Sequence, residues 1–464
     1  MPQGGVKKRT EPMTAVTPVE QDLARQDAKL ADFVRQRAHP LSEGDLTGYD
    51  PLLDMIGNAR IVMIGDGSHG THEFYRERAL LTKRLIEEKG VTFVAIEGPW
   101  PDVLRLNQYV QGGSGTAREA LTVFDQYPTW MWGNRDMQDF LAWLRRYNDS
   151  LPVGRQKVGF YGLDVQSIFP AVDHVLAYLD ETEPSLAGTT RERYRCFDQF
   201  GGERDVYGYY AGTGLVSPCD NQAVNVVQDL RHHRERLIRA SNADTYFNAL
   251  MAALEVQNGE RFHRASYFGS ESAWNIRDIH MQDILDSLLD HYAGSKATVW
   301  EHNTHVGDFR QTGTASGQIN IGQLTRQRHP GEMVSVGFGH YQGSVTASRY
   351  WGAPPEYMPV PPGIPGSYDS AFHQTGLHRF LLLLRPLHDS LQAGPLDEWR
   401  GNRAIGVQYH PESEWHNYVP TKLASRYDAF VHIDRTKAVK PLDMSAAKPE
   451  SVPKWDAEMY PDAY

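Results

Sequence analysis

The sequence predicts an α/β fold: a mixed sheet flanked by helices, with a helical subdomain inserted into it. Three observations carry this. Short apolar runs alternate with longer stretches of helical character through the middle of the chain. About 135 residues between the third and fourth of these runs are dominated by helix, far more than a crossover in a compact sheet needs. Glycines, carboxylates and histidines gather directly after the runs, at the carboxyl edge where open α/β sheets bind ligands.

Taken in order, residues 1–45 read as a polar, proline-broken arm followed by a helix over 19–37, which stops before His39-Pro40 because the residue preceding proline disfavours the α region. The α/β body spans 46–440. Its strands are expected at 61–64, 93–96, 158–161, 297–300, 333–338, 380–384, 404–409 and 430–433, where apolar and β-branched residues cluster. A helix over 73–89 follows the first strand. The helical insertion covers about 175–290, including helices at 223–257 and 276–289. Residues 354–366 form a proline-rich loop, and 441–464 a loose tail.

The composition bounds the function classes. With 464 residues, 40 % of them hydrophobic, the chain can bury a large core. Lys plus Arg total 47 against 58 Asp plus Glu, a formal charge of −11, and no basic run follows a phosphate backbone; nucleic acid is not an expected partner. Lys7, Lys8 and Arg9 precede no apolar core, so the start does not read as a signal peptide, and no stretch has the length of a transmembrane helix. Two cysteines, Cys196 and Cys219, argue against a disulfide framework and for a reducing compartment, so a cytoplasmic protein away from membranes is expected.

The chemistry-bearing residues lie at the expected strand ends. After 61–64 comes GDGSHGTHE (65–73), after 93–96 Glu97, after 158–161 Asp164, and after 297–300 EHNTH (301–305). Glycines 65, 67 and 70 allow a sharp bend that sets His69 at the mouth of the following helix, where it serves either as a general base or as a helix cap. Phe74, Arg78, Leu81 and Leu85 share one helix face. Arg78 is therefore buried and needs a carboxylate, for which Glu97 is the expected partner. His69, His72, His302 and His305 with Asp66 and Glu97 offer a possible metal site, although neither His pair is HExxH, and Asn303 and Asp308 could equally orient neutral imidazoles. Ser68 imitates a nucleophile elbow but has Asp66 where G-x-S-x-G requires glycine. The glycine-rich stretch 111–116 follows no clear strand and reads as a solvent loop.

GDGSHGTHEF (65–74), Arg78 and FVAIE (93–97) together resemble the opening motif of the erythromycin esterase family. Ordered matches continue with WMW (130–132), WLR (143–145), FYGLD (160–164), Arg277-Asp278 with Met281, WEHNTH (300–305) and RYDAF (426–430), covering roughly 45–440. The resemblance implies a deep cleft and ester or lactone hydrolysis on a macrolide-like natural product, without a covalent serine intermediate and without a cofactor or metal. It assigns His69 as the base on water, with Asp66, Glu97 and Arg78 setting its geometry and charge, and His302 or His305 stabilising the oxyanion. Glu73, Asp164, Trp132 and Tyr341 are the candidate substrate-binding residues; Trp130, Tyr350 and Trp351 are further aromatics that fit either a cleft wall or the core. The chain departs from the family pattern at Asp66, where the family has Glu, one methylene longer. That departure leaves room for a biosynthetic tailoring reaction (dehydration, cyclisation or acyl transfer) on the same scaffold. A metal-dependent hydrolase using the two His pairs is the other alternative.

Overall fold

The computed structural model describes residues 18–44, 47–266, 271–314 and 317–445. The expected flexible start and most of the tail lie outside these residues. The expected first helix is Pro18–Arg35.

The central sheet is mixed and contains β1 (His39–Pro40), β2 (Ile61–Ile64), β3 (Phe93–Pro99), β4 (Gly159–Asp164), β5 (Ala297–Trp300), β6 (Met333–Ala347), β7 (Glu356–Val360), β8 (Arg379–Leu383) and β11 (Ala429–Thr436). Its order is β1-β8-β11-β6-β2-β5-β3-β4, with β7 pairing the far half of β6. Six consecutive strands, β11, β6, β2, β5, β3 and the edge strand β4, run parallel, with Ile64 level with Trp300 and Val336, while β1, β7 and β8 pair antiparallel with their neighbours. All six parallel strands therefore end at one edge.

Period-two alternation divides the core. On β2, Ile61 and Met63 face one apolar layer while Val62 and Ile64 face the other, and Phe93 and Ala95 alternate with Val94 and Ile96 in the same way. The helix His72–Lys89 covers the second face and buries Phe74, Arg78, Leu81 and Leu85, the stripe read from the sequence. The first face is covered by the helices between β4 and β5, among them Ile168–Thr182, Asp220–His232, Ala243–Ser266 and Glu271–His291. Their apolar sides join Ile61, Met63, Phe93 and Ala95 in one layer, so this helical segment is part of the main core.

Three expectations are corrected. Residues 404–409 make only isolated bridges, at Ile405 with Ser68 and Gln408 with Ser348; the neighbouring β9 (Arg400–Arg403) and β10 (Tyr418–Thr421) form a separate two-stranded ribbon. Apolar content there reflects burial of a loop against the site, not a strand. The proline-rich 354–366 contains β7, an outer strand, the sheet position at which proline is tolerated. Cys196 and Cys219 are joined in a disulfide across a 23-residue separation, where the cysteine count had argued against disulfides. Among the described residues no helix is long and apolar enough to cross a membrane.

Candidate active site

The site begins with the turn after β2. Its glycines do not take left-handed φ; they permit close approach instead. A Cβ on Gly70 would lie 1.7 Å from the Thr346 carbonyl oxygen, and one on Gly65 would lie 2.2 Å from Asn303 Oδ1. The turn is tied down on both sides: His69 N–H donates to the Ile405 carbonyl, Ile405 N–H to that of Gly67, and Asn303 N–H to that of Asp66. Thr71 occupies the N-cap of His72–Lys89, so His69 is not the helix cap.

His69 is held between two carboxylates and is 2 % exposed. Its Nδ1 lies 3.5 Å from Asp66 Oδ1 and its Nε2 3.9 Å from Glu97 Oε1. Each carboxylate carries its own arginine. Asp66 Oδ2 meets Arg78 Nη1 at 2.8 Å, with both side chains fully buried, and the Arg78 guanidinium sits among the rings of Tyr75, Trp300 and Trp132. Glu97 Oε1 accepts from Arg277 Nη2 at 2.7 Å, and Arg277 also grips Asp164 through two 2.9 Å hydrogen bonds. This corrects the expected Arg78–Glu97 pair. The turn residue Asp66 is nearer the helix stripe than the next strand's end, which is reached instead from the helix Glu271–His291.

These pairings explain the charge states. Burial pushes the Asp66 carboxyl up, but the Arg78 charge and His69 outweigh it and leave Asp66 below its ordinary value. Burial likewise opposes ionisation of Glu97, and His305, Arg277, His69 and the His302 N–H more than offset it, holding Glu97 well below the carboxylate range. Asp164 is lowered against its burial by Arg277.

His302 and His305 lie behind this first layer. Burial, reinforced by repulsion from His69, pushes His302 down to about 3, so its imidazole is neutral. His302 Nδ1 meets the Thr304 hydroxyl at 2.8 Å and the Thr304 backbone N–H at 3.4 Å, and its Nε2 lies 4.0 Å from Asp66 Oδ1. The ring centroids of His302 and His69 are 4.8 Å apart. His305 is fixed at both nitrogens, by Asp278 at 2.9 Å and by Arg277 at 3.2 Å, and stacks on Trp274 at 4.5 Å.

Several candidates fall elsewhere. His72 turns to Asp136 at 2.9 Å, which breaks up the four-imidazole arrangement, and among the described residues no group of three or more His, Cys, Asp or Glu is arranged to hold a metal ion. Ser68 is buried with its hydroxyl on Thr71 Oγ1, out of reach of substrate. Glu73 accepts the Lys437 backbone N–H at 2.7 Å, and Tyr341 stacks on His373 with 3.8 Å between centroids; both serve packing away from the cleft.

A cleft open to the surface reaches His69. Glu97, Asp164 and Arg277 supply its polar floor, and Trp132 and Trp351 part of its apolar wall. Trp132 also donates Nε1–H to the Glu97 carbonyl at 2.7 Å, tying the wall to the strand end. Trp130 is buried core, and Tyr350 is 63 % exposed. Arg277, known beforehand only as part of a matching motif, is the residue that sequence reasoning undervalued. The signal was present: Trp274, Asp278, Met281, Leu285 and Leu288 mark the buried stripe of their helix, and Arg277 is embedded beside it, just as Arg78 is in its own helix.

A sequence model described as erythromycin esterase matches residues 86–436. This stretch includes Glu97, Asp164, Arg277, His302 and His305 and begins after the turn that holds His69. Erythromycin esterase type II of Escherichia coli is 28 % identical over 385 residues, 77 % of this chain and 88 % of the relative. The type I enzyme of the same species is 22 % identical over 278 residues, 56 % and 65 % of the two chains. Among solved structures, a Bacillus cereus protein superposes with a TM-score of 0.76 at 22 % identity, covering 90 % of this chain and 99 % of the other. A succinoglycan biosynthesis protein gives 0.74 at 22 % identity with 89 % and 98 % coverage, and an erythromycin esterase mutant in its open conformation 0.66 at 16 % with 86 % and 96 %. At these identities the superpositions establish the α/β fold.

Proposed function

This chain belongs to the erythromycin esterase family, and from that premise we propose that it hydrolyses an ester or lactone with water activated by His69. The observation that supports this reading most directly is the placement of one imidazole at the cleft floor between two ionised carboxylates. The Asp66 carboxylate, 3.5 Å from Nδ1, favours the tautomer protonated there, which leaves Nε2 unprotonated on the Glu97 side, toward the cleft. Nε2 takes a proton from water as the hydroxide oxygen bonds to the ester carbonyl carbon. The imidazolium so formed is balanced by Asp66 and Glu97. Arg277, at the same floor, supplies the positive field for the oxyanion, and His305 and Asp164 hold Arg277 in place. Collapse breaks the acyl C–O bond, and the leaving oxygen takes the proton back from Nε2. A lactone thus becomes one hydroxy acid, heavier by one water.

The direct test incubates the purified protein with a panel of macrolides and simple lactones and follows each compound by mass. Gain of one water supports the reading. No gain on any member overturns it and favours the tailoring alternative, which the Asp66 departure keeps in view.

Asp66→Asn keeps the side-chain shape but removes the charge that orients His69. We expect kcat to fall by about 10²- to 10⁴-fold with KM changed much less, as when a triad carboxylate is neutralised. A rise in KM at unchanged kcat would mean that Asp66 acts in binding only.

A further inference from the structure

The cleft has a second polar wall that the hydrolytic steps leave unused. Asp102, in the first turn of the helix Trp100–Val110, lines the same cavity as His69, and its Oδ2 accepts the Ser167 hydroxyl at 2.8 Å. The other two cleft carboxylates, Glu97 and Asp164, are both held by Arg277. The remaining cleft arginine, Arg204, directs its guanidinium to the carbonyls of Gln166 and Tyr127, at 2.7 and 3.3 Å, and lies 4.0 Å from Asp205. Asp102 is thus the one cleft carboxylate without an ion pair among the described residues. Three carboxylates against two guanidiniums leave the cleft floor and walls with an excess negative charge.

The rest of that wall is aromatic. Phe124, Tyr127, Trp132 and Trp351 face the same space, and the Tyr127 and Trp351 rings meet at a corner, 4.8 Å between centroids and tilted by 56°. A partly desolvated carboxylate beside π faces recognises an organic cation: the carboxylate supplies the charge, the ring faces their negative quadrupole, and the apolar rim accepts alkyl groups. The first-turn position also suits a carboxylate for the helix dipole, but that role requires neither a cavity nor a ring of aromatics.

We propose that Asp102, Ser167 and the Tyr127–Trp351 corner form a subsite for an alkylated or protonated amine on the ligand. This deepens the hydrolase reading by placing a cationic nitrogen on the ester, and its test reads binding alone, so the two can fail separately. Burial lifts the Asp102 carboxyl to about 6; Ser167, Arg204 and Arg105 pull against that rise and Asp125 adds to it. The subsite is therefore charged at pH 7.5 and largely neutral at pH 5.

The test is calorimetric titration of the full chain with benzyltrimethylammonium and with benzyl alcohol, a neutral ligand with the same ring. At pH 7.5 the cation is expected to bind about tenfold more tightly than the alcohol, and Asp102→Asn to reduce that ratio to about two or less. Ser167→Ala, which leaves the charge in place, keeps the ratio within about twofold of the parent, whereas Trp351→Ala lowers cation affinity about threefold and serves as an independent check should the Asp102 variant fold poorly. The parent's ratio falls between pH 7.5 and pH 5. In Asp102→Asn it stays level, which separates Asp102 from the neighbouring ionisable side chains. Equal affinities for the two ligands, no measurable cation binding at millimolar concentration, or a ratio that survives Asp102→Asn overturns the subsite. Intact cation binding with no hydrolysis of any ester would sink the hydrolase reading and leave the subsite standing.

Discussion

Arg78→Met is expected to lower the unfolding free energy by about 3–5 kcal/mol at pH 7.5, measured by urea denaturation. Arg78 and Asp66 are both fully buried and meet at 2.8 Å, so solvent does not screen the pair. Methionine fills much of the volume among Tyr75, Trp300 and Trp132 but leaves Asp66 as an uncompensated buried charge. The pH dependence identifies the cause. In the parent, Asp66 sits below its ordinary value, so its contribution is present at neutral pH and is lost as pH falls through and below the carboxylate range. In the variant, burial is no longer opposed by Arg78, the Asp66 carboxyl rises, and its ionised form costs stability at neutral pH that protonation relieves. The deficit should therefore be largest near pH 7.5 and narrow toward pH 5. A deficit that stays constant across this range would assign the loss to packing.

His69→Ala should reduce kcat/KM for any substrate found by about 10²- to 10⁴-fold, the range a positioned base contributes. His69 is the imidazole that lines the cleft; His302 and His305 stand behind it, and His305 has both nitrogens occupied. Added imidazole should restore part of the lost rate, because the variant leaves a ring-sized space open to the cleft. Rescue is a signature that a purely structural histidine would not give. A loss of rate below about tenfold, or a loss matched by collapse of the thermal transition, would remove His69 from the role of base.

Much of this was legible from residue order. The parallel strands β2, β3, β4, β5, β6 and β11 were each marked by an apolar run bounded by polar residues, and the placement of Asp66, His69, Glu97, Asp164, His302 and His305 at their ends followed from the edge rule. Strand ends converge wherever parallel strands share a sheet, so sequence position sufficed to bring these six residues to one place. The failures were of another kind. Residues 404–409 have a strand's composition, but the turn that holds His69 takes up the Ile405 N–H and carbonyl, leaving no ladder to build.

What the sequence determined by itself is which side chains are buried, on which face of which element, and which strand ends meet, because period-two and period-3.6 patterns encode burial locally. Which arginine neutralises which carboxylate was decided only by the tertiary structure. Arg78 and Arg277 each stand on a buried helix stripe, and both Asp66 and Glu97 were within plausible reach. The choice depends on separations of a few ångströms between elements distant in the chain, and a buried ion pair is stable only where geometry brings the opposite charge into contact. The same reason explains His72, which lies three residues from His69 yet points to Asp136, and Asp102, whose lack of an ion pair among the described residues is visible only once Arg277 and Arg204 have been placed.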